Sequence, residues 1–243
     1  MITGATDGLG LALAHLYHAR GERMILVGRR APHELDPVQF PASAYCRAEL
    51  AHPEAPEVIE RFLRDSGSDH LDLLIHNAGV GYFGSIEQQS NAALRGMVDV
   101  NLRAPIALTH QLLPYLARAR GRIVFISSVV AALPAPDYAV YAATKSALEA
   151  FARNLRTELR DSVAVQIIAP GAIRTTMHTK SGAPLATIGW EHFPAAALVA
   201  QRIVRSIDRG ASDATIGAST RWLRFGGRYM PRLVDWIAAS RRR

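Results

Sequence analysis

The sequence contains a single cysteine, Cys46, so it cannot form an internal disulfide or supply a cysteine-ligated structural zinc site. No apolar run approaches the roughly 18–20 residues that a helix needs to cross a bilayer. The first residues show no basic segment followed by an apolar stretch, so no signal peptide is expected. These absences predict a soluble protein in a reducing compartment, and we expect a cytoplasmic location.

Acidic residues are fewer than basic ones: 21 Asp and Glu against 28 Lys and Arg, for a formal net charge of +7. Much of the excess lies near the C-terminus, where arginines alternate with aromatic residues at Arg221, Trp222, Arg224, Phe225, Arg228, Tyr229, Arg232 and Trp236, followed by three arginines at 241–243. Such a segment could contact a membrane surface or RNA, or it could pack its apolar side on the body with the arginines solvated. An anionic cofactor would also account for part of the positive charge.

Hydrophobic residues make up 49% of the 243-residue chain, enough to bury a sizeable core. Short apolar runs typical of strands buried on both faces occur at 23–28, 71–75, 121–126, 163–168 and 213–216. Helical periodicity occurs between them, at about 9–20, 54–66, 91–118, 138–160 and 194–209. This alternation predicts an α/β fold with a doubly wound parallel sheet of the Rossmann type.

We expect one domain over residues 1–243, because no repeat, low-complexity segment or linker is visible. Residues 172–193 have no clear period and predict a long loop, which is either a substrate lid or a plain surface excursion. Residues 219–239 predict a C-terminal helical segment. Only Met1 and Ile2 precede the first glycine-rich turn, where a central strand belongs. Either that strand is very short or the natural chain begins earlier, and we favour the second.

A glycine-rich turn opens directly into the first predicted helix. Glycines permit positive φ and let the backbone approach a pyrophosphate, and the helix N-terminus supplies N–H groups. The spacing Gly-x-x-x-Gly-x-Gly differs from the usual Gly-x-Gly-x-x-Gly, so a plain turn is the alternative. The residues predicted to bind a dinucleotide here are Gly4, Thr6, Asp7, Gly8, Leu9 and Gly10.

The turn after the second predicted strand indicates which nucleotide is preferred. An NAD site has a carboxylate about 20 residues past the glycines, bound to the ribose 2′-hydroxyl. Here the strand ends in Gly28-Arg29-Arg30, and guanidinium groups match the oxygens of a 2′-phosphate. Unless Arg29 and Arg30 are simply solvated, this turn favours NADP(H) over NAD(H). A further turn, Asn77-Ala78-Gly79, either passes close to a bound ligand or is only structural.

Ser128, Tyr141 and Lys145 have the spacing of a carbonyl-reducing site, with thirteen positions from Ser128 to Tyr141 and four more to Lys145. If residues 138–160 are helical, Tyr141 and Lys145 lie one turn apart on the same face. A cation there lowers the pKa of the tyrosine from about 10, so the phenol can exchange a proton with a substrate oxygen near neutral pH. A Tyr and a Lys at this spacing also occur together by chance.

These motifs resemble those of the short-chain dehydrogenase/reductase family, over nearly the whole chain and in the family's order. The resemblance implies that Tyr141 is the catalytic acid/base, that Ser128 orients the carbonyl, and that Lys145 binds the nicotinamide ribose and lowers the Tyr141 pKa. It also implies that Asn101 holds a water in a proton relay. The cofactor contacts that it implies elsewhere are Glu49 and Leu50 at the adenine, the Asn77, Ala78 and Gly79 turn, and Pro170, Gly171, Ile173 and Thr175 at the nicotinamide amide.

We therefore predict an NADP(H)-dependent oxidoreductase that interconverts a carbonyl and an alcohol. The candidate pocket is mostly apolar, which favours a hydrophobic substrate; its residues are Leu133, Tyr138, Met177, Trp190 and Phe193. The alternative is a nucleotide-sensing binding protein of the same fold without turnover, against which the intact Ser128, Tyr141 and Lys145 set argues. No metal site and no nucleic-acid partner are expected. The resemblance implies a homodimer or homotetramer paired through helices 91–118 and 138–160, and weak membrane-surface contact by the basic C-terminus stays open.

Overall fold

The computed structural model describes residues 1–240. The three arginines at 241–243, which are part of the basic C-terminal segment, lie outside the described residues. Most strands are followed by one or more helices before the next strand begins. The strands are β1 (Ile2–Thr3), β2 (Leu26–Gly28), β3 (Tyr45–Arg47), β4 (Leu73–His76), β5 (Arg122–Ile126), β6 (Ala164–Pro170) and β7 (Asp213–Ile216). The helices are α1 (Gly8–His18), α2 (Ala55–Asp65), α3 (Asn91–Val98), α4 (Ala104–Ala119), α5 (Ala139–Glu158), α6 (Thr176–Lys180), α7 (Leu185–Ile188), α8 (Ala196–Arg209), α9 (Ala218–Tyr229) and α10 (Pro231–Ser240).

The strands form one parallel sheet in the order β3-β2-β1-β4-β5-β6-β7. Its central strands are buried and mostly apolar, as expected for strands covered on both faces. One apolar layer packs α2, α4 and α5 on the sheet, and a second packs α1 and α8 on the opposite face. The predicted doubly wound α/β fold is confirmed.

The order in which the chain adds strands to the sheet reverses at β1. This two-residue strand pairs with β2 through Ile2 and Leu26, and with β4 through Ile2 and Ile75. The chain therefore leaves β1 toward one edge of the sheet and later returns to build toward the other. In such sheets a crevice opens outside the carboxyl ends of the strands at the reversal point, and ligands bind there.

Two predicted segments differ in detail from the structure. The helix predicted over 91–118 is divided into α3 and α4 by a π-helical turn over Asp99–Arg103. The predicted loop 172–193 contains α6, α7 and a short 3₁₀ turn at Trp190–His192, which are too short to show a helical period in the sequence.

The C-terminal segment predicted to be helical forms α9 and α10. The break falls before Pro231, which has no backbone N–H to continue α9. Within residues 1–240, no helix is both long enough and apolar enough to cross a membrane.

Candidate active site

A cleft of about 750 Å³ lies at the carboxyl ends of the strands. It runs from the glycine-rich turn after β1 to the start of α5, and the segment between β6 and α8 covers part of it. Every catalytic and cofactor-binding residue predicted from the sequence lines this cleft except Arg30 and Asn101. The topology thus brings together motifs that lie as far apart in the sequence as Gly4 and Thr175.

The glycine-rich turn is a close-packed cradle in which side chains would not fit. Gly4 has a φ of +66°, and a Cβ there would lie 2.8 Å from the Cα of Ala78. A Cβ on Gly10 would lie 2.0 Å from the carbonyl oxygen of Gly4. Asn77 fixes the turn through its side chain, because Nδ2 donates to the carbonyl oxygens of Thr3, at 2.9 Å, and Gly4, at 3.3 Å. In this structure the Asn77 side chain therefore supports the cradle from behind.

Asp7 connects this turn to the segment that covers the cleft. Its Oδ1 accepts a hydrogen bond from the backbone N–H of Gly8 at 2.7 Å, at the N-terminus of α1. Its Oδ2 accepts from Thr176 Oγ1 and Lys180 Nζ, both on α6. Desolvation opposes ionisation of Asp7, but the hydrogen bonds from Lys180 and Thr176 outweigh it and hold the pKa of the carboxyl below its usual range. No local sequence signal connects residues so far apart.

Positive charge collects where β2 and β3 end. Arg29 lines the cleft, its side chain is 65% exposed, and its Nη1 lies 3.8 Å from Glu49 Oε2. Arg47, opposite Gly28 in the strand register, donates from Nε to the Arg29 carbonyl oxygen at 3.4 Å. Arg47 was not among the residues predicted from the sequence to bind the cofactor. Its position at the end of a short strand beside the Gly28 turn could have indicated it. Arg30 lies outside the cleft, and its carbonyl oxygen accepts from Tyr45 Oη at 2.8 Å.

Ser128, Tyr141 and Lys145 meet at the other end of the cleft. Ser128 follows β5, and Tyr141 and Lys145 lie one turn apart on α5. The Ser128 hydroxyl is close enough to that of Tyr141 to lower the pKa of the phenol. The buried Lys145 donates from Nζ to the Ile126 carbonyl oxygen at 2.9 Å, and this nitrogen lies 5.8 Å from the centroid of the Tyr141 ring. The arrangement places a hydroxyl pair and an ammonium group on one wall.

The expected effect of Lys145 on Tyr141 requires a correction. Although Tyr141 is only partly buried, the surrounding protein desolvates its phenol and raises its pKa to about 12, with the Ser128 hydroxyl opposing this rise. Burial also lowers the pKa of Lys145 to about 8, an effect that Glu149 opposes. Lys145 is not among the groups that shift the Tyr141 pKa, so desolvation sets its direction and Tyr141 is a protonated phenol at neutral pH.

Asn101 lies behind the cleft wall, in the π-helical turn, and is fully buried. Its Oδ1 accepts from the Val80 N–H at 2.8 Å, and its Nδ2 donates to the Val80 carbonyl at 2.9 Å and to Thr144 Oγ1 at 3.1 Å. A Cβ on Gly79 would lie 3.4 Å from Asn101 Oδ1 and 3.5 Å from Lys145 Nζ. Asn101 thus holds the loop after β4 against α5, beside the lysine. Its role with a water stays a prediction.

A buried ion pair, absent from the sequence-based predictions, supports the serine. Arg224 of α9 forms two hydrogen bonds with Glu149, at 2.8 and 2.9 Å, and donates to the carbonyl oxygen of Ser128 at 2.9 Å. Glu149 lies one turn after Lys145 on α5 and also accepts from Ser127 Oγ at 2.7 Å. Helix α9 therefore holds the backbone of Ser128, the residue predicted to orient the carbonyl.

The apolar end of the cleft is lined by Tyr138, Met177 and Phe193, as expected. Leu133 and Trp190, which the sequence also suggested, do not line it. Leu133 instead faces α9, where a Cβ on Gly227 would lie 2.9 Å from its Cδ2.

Comparison with known proteins gives consistent results. The model of the short chain dehydrogenase family matches residues 1–185. Dehydrogenase/reductase SDR family member 7B of Bos taurus is 36% identical over 73% of this chain, and the chain spans 58% of that relative's length. A short-chain dehydrogenase from Streptomyces avermitilis superposes with a TM-score of 0.81 at 27% identity, covering 99% of this chain and 96% of that one.

A third comparison is with a solved structure of an alcohol dehydrogenase from Thermococcus sibiricus, complexed with 5-hydroxy-NADP. It has a TM-score of 0.73 and 25% identity, and the match covers 88% of this chain and 93% of that one. Fold, family match and relatives agree. The chain belongs to the short-chain dehydrogenase/reductase family of oxidoreductases.

Proposed function

We propose that this protein is an NADP(H)-dependent reductase or dehydrogenase that interconverts a hydrophobic ketone or aldehyde and its alcohol, with Tyr141 as the acid/base. One observation carries the proposal. The Ser128–Tyr141 hydroxyl pair and the buried Lys145 share a single cleft with the glycine-rich turn. A cofactor held at the turn and a carbonyl held at the hydroxyls would then be neighbours.

The cleft fits a dinucleotide. Gly4 and Gly10 leave the backbone bare at the N-terminus of α1, where N–H groups and the helix dipole favour phosphate. Lys145 and Gly79 are close together at the far end, so an ammonium group is available to a ribose hydroxyl there. The nicotinamide supplies or accepts the hydride when it is bound. The protein has to position the substrate and manage the proton.

The raised pKa of Tyr141 defines its part in the reaction. A phenol with a pKa of about 12 is protonated at neutral pH, so it can donate a proton to the oxygen of a carbonyl as that oxygen gains negative charge. The Ser128 hydroxyl can hydrogen-bond the same oxygen and hold it next to the phenol. In the oxidative direction the phenolate is required, so alcohol oxidation should become faster as the pH rises.

The preference for NADP(H) rests on Arg29. This side chain lies at the end of β2, with Arg47 beside it and no carboxylate in the Gly28-Arg29-Arg30 turn. Glu49 lies within 3.8 Å of Arg29, but that leaves most of the exposed guanidinium available to a phosphate. The Thermococcus sibiricus enzyme, which carries a modified NADP, offers a related precedent.

The decisive experiment replaces Tyr141 with Phe. Activity is followed as NADPH absorbance over a panel of apolar ketones and aldehydes. Tyr141→Phe removes one oxygen, so the fold and NADPH affinity should be nearly unchanged. Turnover should fall by at least about a hundredfold, because general acid–base catalysis typically contributes that much.

Tyr138→Phe is the matched control, since the two rings are neighbours at 6.2 Å between centroids and both line the cleft. We expect this control to change KM more than kcat. Retention of most activity by Tyr141→Phe, with loss in Tyr138→Phe, would assign the acid/base role to Tyr138. If neither change affects a measurable carbonyl reduction, the proposed mechanism is wrong.

A further inference from the structure

The two C-terminal helices expose an unusual amount of apolar side chain. We define the C-terminal face as Trp222, Phe225, Tyr229, Leu233, Trp236 and Ile237, on α9 and α10. Trp222 is 75% exposed, Trp236 68% and Tyr229 65%. Aromatic side chains of this size normally bury most of their surface, and a cluster of exposed ones marks a site of interaction.

The face is continuous. Trp222, Phe225 and Tyr229 follow one another at helical spacing, with ring centroids 6.2 Å apart for the first pair and 4.8 Å for the second. Helix α10 packs beside α9 where Gly226 leaves room for Val234. Helix α10, packed on α9, adds exposed apolar side chains at Leu233, Trp236 and Ile237.

The face is also anchored to the body of the protein. Arg224, on the inner side of α9, makes the buried ion pair with Glu149. Gly227 packs so closely that a Cβ would lie 1.7 Å from the carbonyl oxygen of Ala132. The exposed rings therefore belong to a docked helix, which is presented outward in a fixed orientation.

Positive charge surrounds the face. Arg221, Arg228 and Arg232 are exposed on the same helices, where Asp235 is the one carboxylate between residues 218 and 240. A groove of about 570 Å³ runs beside the first turn of α9; its charged lining residues are Arg202, Arg205, Arg209 and Arg221, with Asp213 as the one carboxylate among the described residues that line it. An apolar centre bordered by arginines is complementary to an anionic surface with an apolar interior.

We propose that the C-terminal face binds the surface of an anionic lipid bilayer. Trp and Tyr favour the headgroup region, Leu and Ile favour the acyl boundary, and arginines are attracted by acidic headgroups. A second copy of the chain fits less well, because a two-fold contact would bring the same arginines together across the interface. The aliphatic residues Leu233 and Ile237 offer nothing to stacked nucleic-acid bases.

The C-terminal face lies near the cleft, so a membrane contact through this face would bring the cleft close to lipid. Helix α9 packs on the turn Val129–Ala132, and Val129 and Val130 of this turn line the cleft. A protein bound through α9 and α10 would hold its cleft close to the membrane surface, where hydrophobic molecules accumulate. This purpose rests on the proposed function, whereas lipid binding itself does not.

The test is cosedimentation of the full chain with vesicles of phosphatidylcholine, with and without phosphatidylserine, at low and high salt. We expect binding to the phosphatidylserine vesicles, weakened by salt because exposed charges are screened. The tryptophan emission should shift to the blue as Trp222 and Trp236 leave water.

Two double variants separate the apolar and the charged contributions. Phe225→Ser with Leu233→Ser should abolish the blue shift while both reporter tryptophans remain. Arg228→Gln with Arg232→Gln should weaken binding by about tenfold or more, since each arginine near an anionic surface adds about a factor of five. The matched controls are Val38→Ser with Ile86→Ser, exposed by 83% and 59%, and Arg61→Gln with Arg160→Gln; both should bind like the wild type.

Three results would overturn the proposal. The first is no cosedimentation with phosphatidylserine vesicles at low salt. The second is binding that both control pairs reduce as much as the C-terminal pairs do. The third is a dimer in light scattering that Phe225→Ser with Leu233→Ser converts to a monomer, which would identify the face as an interface between copies. Carbonyl reductase activity does not enter any of these measurements, so the proposed function is tested separately.

Discussion

At the scale of single residues, the site depends on groups held in ionisation states that burial favours. Loss of water keeps Tyr141 protonated and lowers the pKa of Lys145 to about 8, so that Lys145 is still an ammonium group at neutral pH. The sequence identifies these residues by their spacing but does not reveal how strongly each is desolvated. The prediction from spacing included the attraction between Tyr141 and Lys145 but not the desolvation of the phenol. The predicted direction of the Tyr141 pKa shift was therefore wrong.

The nucleotide preference is also decided by single residues. Arg29→Asp should repel a 2′-phosphate and narrow or reverse the preference for NADPH over NADH. A charge-assisted contact contributes about 1.5–3 kcal/mol, or roughly ten- to hundredfold in affinity. Titration of both nucleotides, followed by their fluorescence, measures the change.

The control for Arg29 makes the same charge change at a distance. Arg160 follows α5, at the end of the sheet opposite the cleft, so Arg160→Asp should leave both affinities unchanged. Equal affinity of the unmodified protein for NADPH and NADH would show that the turn after β2 does not recognise the 2′-phosphate.

At the scale of secondary-structure elements, α9 has a structural role in the site that its sequence does not suggest. Arg224 acts on Ser128 through the backbone and on Lys145 through Glu149, so it is a positioning residue. Arg224→Ala leaves the buried Glu149 carboxylate with Arg153, at 3.0 Å, and Ser127 as its remaining partners, so the fold should lose about 1.5–3 kcal/mol, the range for hydrogen bonds to a charged group. Denaturant unfolding measures this loss.

The kinetic effect of Arg224→Ala distinguishes positioning from stability alone. Assayed well below the unfolding transition, the variant should lose about tenfold or more in kcat, because small displacements of a catalytic group are costly. NADPH affinity should change little, since Arg224 does not line the cleft. Arg221→Ala, an exposed arginine one turn earlier, is the control and should retain the wild-type kcat. An unchanged kcat in Arg224→Ala would exclude a positioning role.

The contrast between α5 and α9 shows what sequence reasoning can reach. Tyr141 and Lys145 lie within one helix, so a local pattern predicts their proximity. Arg224 and Glu149 are 75 residues apart, and Asp7 and Lys180 are 173 apart, so these contacts arise only from tertiary packing. The alternation of strands and helices nevertheless predicts the sheet, because that signal repeats along the chain. The aperiodic segment 172–193 carried no comparable signal for α6 and α7.

At the scale of the whole molecule, one buried histidine links stability to pH. His76, at the end of β4, is hydrogen-bonded to Thr109 Oγ1 at 2.9 Å and stacks on Phe125. Burial, with a smaller effect from Lys145, lowers its pKa from 6.5 to about 3. The unfolded chain therefore binds a proton below pH 6.5 that the folded protein does not bind until near pH 3, so stability is lost as the pH falls through this range.

This linkage predicts a measurable loss of folding stability at acid pH. As the pH falls from about 6.5 to about 5, His76 alone should lower the free energy of unfolding by about 1–2 kcal/mol. His76→Asn should flatten this part of the pH dependence, measured by urea unfolding at each pH. His18→Asn, on the exposed side of α1, is the control and should keep the steeper dependence. A slope that is the same in the wild type and His76→Asn would show that His76 does not control acid stability.

The same scale includes the assembly and location of the protein. Pairing through α3, α4 and α5 stays a prediction, as does a cytoplasmic location.

The close approach of Gly227 to Ala132 has a consequence for comparing sequences. The match to the family model ends at residue 185, whereas α9 begins at Ala218, so this helix lies outside the segment that the model matches. A side chain at position 227 would collide with the backbone of the turn after Ser128. An arginine followed three positions later by a glycine, Arg224 and Gly227 here, is therefore a recognisable signature. Related chains that keep both residues should dock their C-terminal helix on the serine turn, and those that have lost either should carry that helix elsewhere.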